Sequence, residues 1–347
     1  MVRVGIIGAT GYVGGELVRL IHRHSQAEVA CLAAIVDTPD LPVDAYFPDL
    51  WGMTQEHVRA VESAEATIAL MKERTDAIFL ALPHTASQIY AAPLLEAGKT
   101  VLDLGADFRF RSVEAYEDAY GVKHQYPDLT RGAVYGLPEL YRAQLKGRKL
   151  TGVAGCYPTS VLLPLAPFMR DLSGIRPDLI IADSKSGVSG AGRGLSETAH
   201  FVTANESMMA YKVASHRHCP EMEENLSALA GKPIQLTFTP HLAPMDRGIH
   251  STIYLGVEDG FTEAEARRRL EAAYGSEPFV RVMAPGAYPS TKGVSRTHYC
   301  HIGVKLDARN KRLVLCSVID NLIRGAAGTA VQCMNAMMGF DEADGLK

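Results

Sequence analysis

No stretch of 18 or more apolar residues occurs in this chain, so the sequence offers no membrane span. The opening residues, Met1 to Gly8, lack the basic region, long apolar run and small-residue cleavage site of a secretory signal. Six cysteines, at 31, 156, 219, 300, 316 and 333, form neither a CxxC pair nor a dense framework. Such usage belongs to reduced thiols, and a soluble cytoplasmic protein is expected. Positive charge is not in excess: a net charge of −4 and a pI near 6.3 leave no electrostatic footprint for nucleic acid. Repeats, low-complexity tracts and charge blocks are missing too. What remains is ordinary globular material, 47% apolar and 21% charged, which argues against disorder. At 347 residues there is room for two domains of roughly 100–200 residues each.

The first half reads as a nucleotide fold. A strand from Arg3 to Ile7 runs into Gly8-Ala9-Thr10-Gly11-Tyr12-Val13-Gly14-Gly15, and a helix follows from Glu16 to His24. In that order Gly8 permits the tight turn, Gly11 lets the backbone approach a pyrophosphate and Gly14 allows close helix–strand packing. The spacing is GxxGxxG instead of GxGxxG, and a purely structural turn is the alternative. A second strand, Val29 to Val36, ends at Asp37-Thr38-Pro39. An acidic residue there would accept the ribose 2′-hydroxyl of NAD and repel a 2′-phosphate, so the choice between NAD and NADP stays open. Residues 38 to 63 read as irregular. A strand from Asp76 to Leu82, Pro83-His84-Thr85, a helix from Ala86 to Ala97 capped by Gly98, and a strand from Thr100 to Leu104 continue the alternation. Strand–helix alternation implies a doubly wound parallel sheet. His84, at a strand's carboxyl end, could line a nicotinamide site or be an ordinary turn histidine. Arg109, in Asp103-Leu-Gly-Ala-Asp107-Phe-Arg109, suits an anionic substrate or a surface contact with Asp107.

Leu150 to Ala154 is a short strand leading into Gly155-Cys156-Tyr157-Pro158-Thr159, ahead of a helical run from Val161 to Met169. A helix N-terminus carries about half a positive charge, which favours a thiolate. Cys156 is therefore a candidate nucleophile, against the alternative of a small buried cysteine at a turn.

Farther on, a strand from Leu179 to Ser184 meets the glycine- and serine-rich loop 185–194, which includes Ser189 and Arg193. The loop could wrap a polar ligand or merely connect. Tyr211-Lys-Val-Ala-Ser-His216-Arg217-His218-Cys219-Pro220-Glu221 follows, with Pro220 placed as the first residue of a helix. His218 then lies just ahead of a helix N-terminus, where the dipole favours the neutral imidazole that a general base needs. Glu221 could orient one of the rings. Three candidate ligands within four residues are crowded for zinc and no second cluster is evident, so no metal site is expected, and satisfied structural histidines are the alternative to catalysis. Strands at 234–239, 248–257, 300–306 and 312–319, with a helix at 262–274, give the second half an α+β texture on a mainly antiparallel sheet. A last helix, led by Asp320-Asn321, is expected to pack back on the first domain. The expected domains are 1–150 with 320–347 for the dinucleotide and 151–319 for catalysis and substrate.

GATGYVGGEL at the start, ALPH at 81–84, DLGADFR at 103–109, GCYPT at 155–159, SGVSGAGR at 186–193, HRHCPE at 216–221 and DNLIRGAAGTA at 320–330 follow the order of one family. Over nearly its whole length the chain resembles N-acetyl-γ-glutamyl-phosphate reductases of arginine biosynthesis, relatives of aspartate-semialdehyde dehydrogenase. The resemblance implies a Rossmann-type doubly wound domain joined to an α+β catalytic and dimerisation domain. It implies NADPH-dependent reduction of the acyl phosphate to the 5-semialdehyde through a cysteine thioester, with phosphate released. By motif position Cys156 is the nucleophile and His218 the acid/base. His216 and Tyr211, with Glu221, lie on the substrate side, and Arg109 and Arg193 are phosphate candidates. Gly8, Thr10, Gly11, Tyr12, Val13, Gly14, Asp37, Thr38, Pro83, His84, Ser189 and Asn321 are the cofactor positions. NADP is implied ahead of NAD, and a homo-oligomer, often a tetramer in this family. Two other readings are a carrier-protein-bound aminoadipate phosphate reductase of lysine biosynthesis, whose cysteine motif lacks Tyr157-Pro158, and a non-enzymatic dinucleotide sensor.

Overall fold

In the computed structural model, which describes residues 1–38 and 40–347, strand β1 (Val2–Ile7) and helix α1 (Tyr12–His22) flank the glycine turn. The helix starts earlier than propensity predicts. Gly14 and Gly15 cost about 1 kcal/mol each in a helix, but a side chain on Gly14 would stand 2.5 Å from the Gly8 carbonyl oxygen. Close packing outweighs propensity here.

The chain folds as two compact units, Met1–Ala154 with Ala326–Lys347, and Gly155–Gly325. Residues 320–325 thus belong to the second unit, not to the first as expected.

In the first unit, β2 (Ala27–Ala34), β3 (Leu41–Pro42), β4 (His57–Ala60), β5 (Ala77–Leu80), β6 (Thr100–Asp103), β7 (Val134–Gly136) and β8 (Leu150–Val153) join β1 in one sheet. Its order is β3-β4-β2-β1-β5-β6-β8-β7, parallel throughout except for β3 against β4. Helices α2 (Ala64–Arg74), α3 (Gln88–Glu96), α4 (Val113–Tyr120), α5 (Pro127–Gly132) and α6 (Pro138–Leu145) connect the strands. The expected irregular stretch hides β4, which is four residues long and buries only Val58, too little for an alternation to register. Strand β2 ends at Ala34, so Asp37 and Thr38 lie exposed beyond it, and Pro39 falls outside the described residues.

The C-terminal helix, α11 in chain order (Gly328–Met338), packs within this first unit on α1 and α6. His24 Nε2 lies 2.8 Å from Asn335 Oδ1, the Gln332 amide donates to Glu139, and Arg142 pairs with Glu342.

The second unit begins with α7 (Cys156–Arg170) and β9 (Ile175–Ser186), then α8 (Phe201–Ala204) and β10 (Met209–Ala210). Next come α9 (His218–Ala230), β11 (Thr237–Leu242), β12 (Ile249–Val257), α10 (Glu263–Tyr274), β13 (Val280–Val282), β14 (Cys300–Asp307) and β15 (Arg312–Ile319). The sheet runs β10-β11-β9-β12-β15-β14-β13, antiparallel except for β11 with β9 and β13 with β14. Helix α7 lies on this sheet and against α9 and α10. Pro167 has no N–H for the Leu163 carbonyl one turn back, and the Tyr274 hydroxyl of α10 donates to that carbonyl instead. Ser251 on β12 bonds both Ser160 of α7 and Ser184 of β9, at 2.8 and 2.7 Å.

Candidate active site

In the first unit the glycine turn has the form of an anion cradle. Gly8 has φ +94° and a side chain there would meet the Ala81 carbonyl oxygen at 2.2 Å, so no other residue fits. Gly11 caps α1 with its backbone alone, and no acidic residue occupies the first turn. The N–H groups at the start of α1 and the helix dipole are what a pyrophosphate requires. Thr10 and Gly11 are half-buried, with Tyr12 exposed and Val13 half-buried in the first turn. Pro83 is exposed after β5, and the neighbouring His84 ring lies 5.4 Å from that of Tyr120.

The Asp103–Arg109 turn works differently from its sequence reading. Asp107 is fully buried and accepts the N–H groups of Thr85 and Ser87 at 2.8 and 2.9 Å and the Tyr116 hydroxyl at 2.8 Å. That grip holds Thr85 at φ +72°, a strained value for a β-branched residue. Arg109 is buried too, and its guanidinium donates to the Val153 and Leu104 carbonyls at 2.7 and 3.0 Å. With both residues buried, the surface contact with Asp107 expected of Arg109 does not fit. Arg109 is an internal strut at the end of β8.

Asp103 accepts the N–H groups of Gly105 and Asp107. Burial, then the charge of Asp107, pushes the Asp103 carboxyl up to about 6. The folded chain therefore keeps a proton that the unfolded chain releases near pH 4, and this stabilisation is lost as pH rises through about 6. Relative to Asp103→Asn, the parent should lose on the order of 2 kcal/mol between pH 4 and pH 7, read from urea unfolding. A constant difference between the two proteins would contradict this.

In the second unit Cys156 is the first residue of α7, with Gly155 as N-cap. The sequence placed the helix start five residues later, because prolines at 158, 164 and 167 disguise the period. The thiol thus sits directly on the positive end of the helix. Glu221, almost wholly buried in the first turn of α9, accepts the Gly155 N–H at 2.9 Å. Its other oxygen stands 4.0 Å from His218 Nε2. One carboxylate therefore ties the thiol's helix to the histidine's. His218 is the first residue of α9 and Pro220 the third, two residues deeper than expected.

Tyr157 is the hub of this site. Its ring meets His216, His218 and Phe238 edge-on at 5.5, 6.1 and 5.2 Å, and the two histidine rings are 4.8 Å apart. Its hydroxyl accepts from Tyr211 at 3.1 Å and donates to the His241 carbonyl at 3.3 Å. Burial, then Tyr211, raises the Tyr157 phenol far above its ordinary range, and burial pushes Tyr211 up to about 12. Both phenols stay neutral donors. Burial, aided by Lys212 and Arg217, lowers His216 to about 4. His216 Nδ1 accepts the His218 N–H at 3.1 Å, so this neutral ring carries its proton on Nε2. The connecting segment holds Lys212 and Ala214 at positive φ, backbone strain of the kind that collects at functional sites.

Tyr211, His216 and His218 are thus gathered around Tyr157, next in the chain to Cys156, and Glu221 reaches the same helix start through Gly155, while Arg193 lies exposed on its loop. Ser189 and Asn321 are buried and bonded to each other at 3.1 Å, and Asn321 also accepts the Gly248 N–H at 2.7 Å. Phe238 escaped the sequence reading; only its place in the alternation of β11 could have marked it. Among the described residues no group of three or more His, Cys, Asp or Glu is placed for a metal, and no helix is long and apolar enough to cross a membrane.

Two family models match the chain. Residues 3–148 fit the NAD-binding domain of semialdehyde dehydrogenases and residues 156–321 their dimerisation domain. N-acetyl-γ-glutamyl-phosphate reductases of Magnetococcus marinus and Desulforapulum autotrophicum are each 46% identical, over 99% and 100% of this chain and 97% and 98% of theirs. The chain belongs to the N-acetyl-γ-glutamyl-phosphate reductase family. It is an oxidoreductase. Among solved structures, aspartate semialdehyde dehydrogenase II of Vibrio cholerae matches with TM-score 0.72 at 16% identity, over 96% of this chain and 98% of that one. The Candida albicans aspartate semialdehyde dehydrogenase with NADP gives 0.64 at 15%, over 97% and 98%. These share the fold: a Rossmann-like parallel sheet and a second domain with a mixed sheet.

Proposed function

We propose that the chain reduces N-acetyl-γ-glutamyl phosphate to N-acetylglutamate 5-semialdehyde with NADPH, releasing phosphate, as a cytoplasmic step of arginine biosynthesis. The observation that carries this reading is Cys156 at the start of α7 with His216 and His218 packed around the adjacent Tyr157. The names of relatives 46% identical over the full chain supply the substrate.

The Cys156 thiolate attacks the acyl carbon, the carbon–oxygen bond to phosphate breaks, and a thioester forms on Sγ. A nicotinamide cofactor, when bound, supplies the hydride that reduces such an ester. Main-chain N–H groups at the start of α7 stabilise charge on the acyl oxygen. His218 gives that oxygen a proton and takes it back as the carbon–sulfur bond breaks, which frees the aldehyde and restores the thiolate. The one proton consumed overall ends on the phosphate. His216, with its proton on Nε2, serves as a neutral donor to the substrate, Tyr211, whose one hydroxyl proton goes to Tyr157, offers its oxygen as an acceptor, and Glu221 orients His218 and the α7 start.

Gly8, Thr10, Gly11, Tyr12, Val13 and Gly14 would hold the cofactor's pyrophosphate, with Pro83 and His84 beside the nicotinamide. NADP is the cofactor proposed from the family resemblance, and Asp37, exposed three residues past the end of β2, is the residue that would favour NAD if it meets the ribose. Ser189 and Asn321 act through each other, shaping the loop. A homotetramer is in keeping with the matched dimerisation domain.

The test is phosphate- or arsenate-dependent oxidation of the semialdehyde with NAD and NADP side by side. Turnover with a clear preference for NADP is expected. No turnover with either cofactor would reject the substrate, and preference for NAD would place Asp37 on the ribose.

A further inference from the structure

We propose that Gly325, in a π-helical turn behind the nucleophile, is a positioning residue that fixes Cys156 at the start of α7. Gly325 packs against Cys156: a side-chain carbon added at 325 would lie 2.6 Å from Cys156 Cβ and 3.0 Å from Cys156 Cα. Real carbons do not approach so closely. The backbone at 325 is outside the left-handed region, so space and not φ is what demands glycine.

The turn itself cannot readily yield. Ile323–Ala327 is π-helical, closed by the Gly325 N–H on the Asp320 carbonyl at 2.9 Å. Single π turns are rare and collect at functional sites. The fully buried Asp320 carboxylate accepts the N–H groups of Leu322, Ile323 and Arg296 at 2.9, 3.1 and 2.6 Å, and pairs with Arg247 at 3.2 Å. Arg324, fully buried, donates to His298 Nε2 at 2.8 Å. Since guanidinium only donates, His298 stays neutral with its proton on Nδ1. With the turn held on both sides of residue 325, a methyl group there must move Cys156.

Moving Cys156 takes Sγ out of line with the main-chain donors of α7 and away from the helix's positive end. A misplacement of about 1 Å in a reacting group costs about a hundredfold in rate. Gly325→Ala should therefore lower kcat by roughly 10- to 100-fold with KM within about threefold of the parent. Iodoacetamide labelling of Cys156, followed by peptide mass, should slow and shift to higher pH. Gly293→Ala, whose added carbon would come no nearer than 3.7 Å to Ser290 Oγ, should leave both readouts unchanged.

The rate and labelling arms rest on Cys156 being the nucleophile. A thermal cycle does not. Gly325→Ala should lower the melting temperature of the parent more than that of the Cys156→Gly variant, in which the clashing carbon is gone. An equal penalty in both backgrounds overturns the proposal. So does failure of the double variant to fold, which would make the glycine a requirement of the fold and not of Cys156. Parental kcat and labelling in a folded Gly325→Ala variant overturn it as well.

Discussion

Cys156→Ala should lower kcat for reduction of the acyl phosphate by at least about 10⁴-fold while the protein keeps its fold by circular dichroism. On the transition-state scale that is a loss of more than about 5 kcal/mol. So large a figure follows from the proposed mechanism, in which alanine would remove the group that forms the bond to the acyl carbon. The glycine cradle and the histidines would still bind, but no thioester could form. Cys219 and Cys316 cannot substitute: burial pushes the first up to about 12 and raises the second above its ordinary value, leaving little thiolate. Cys31, Cys300 and Cys333 are buried. Parental turnover in the alanine variant would end the covalent mechanism.

The second large effect belongs to His218. His218→Asn should reduce kcat by about 10²–10⁴-fold, the usual worth of a positioned acid/base group. Its partner gives a finer readout. Glu221 holds a carboxylate 4.0 Å from His218 Nε2 and favours the protonated ring, while the N-terminus of α9 disfavours it. Glu221→Gln keeps an oxygen for the Gly155 N–H but removes the charge. The limb of the pH–rate profile that belongs to His218 should then move to lower pH with little change in KM. An unmoved limb would assign it to another group, and full activity in His218→Asn would remove this histidine from the mechanism.

Several local features were readable before any fold was known. The strand before Gly8 and the glycine spacing mark a phosphate cradle because main-chain sterics are local: a tight turn and a close approach demand glycine wherever they occur. The short strand β4 and the true start of α7 were not readable, one for want of length and the other because prolines mask its period. Arg109 shows the opposite failure. Its motif looks like an exposed turn, yet its guanidinium is buried and donates to the Val153 and Leu104 carbonyls, and only the pairing of β6 with β8 could reveal that.

Cys156 was legible as a candidate because it precedes an apolar helix, and His218 because it precedes another. What joined them was not legible. Glu221 reaches Gly155 across 66 positions, and Tyr157 meets Phe238 and the His241 carbonyl farther still along the chain. Gly325 bears on Cys156 across most of the second unit's sequence. The sequence by itself determined the glycine turn, the candidate nucleophile and the oxidoreductase class, since these depend on residue type within a few positions. The tertiary structure alone decided how thiol and imidazole are held, because that rests on desolvation and contacts between segments that no local pattern encodes.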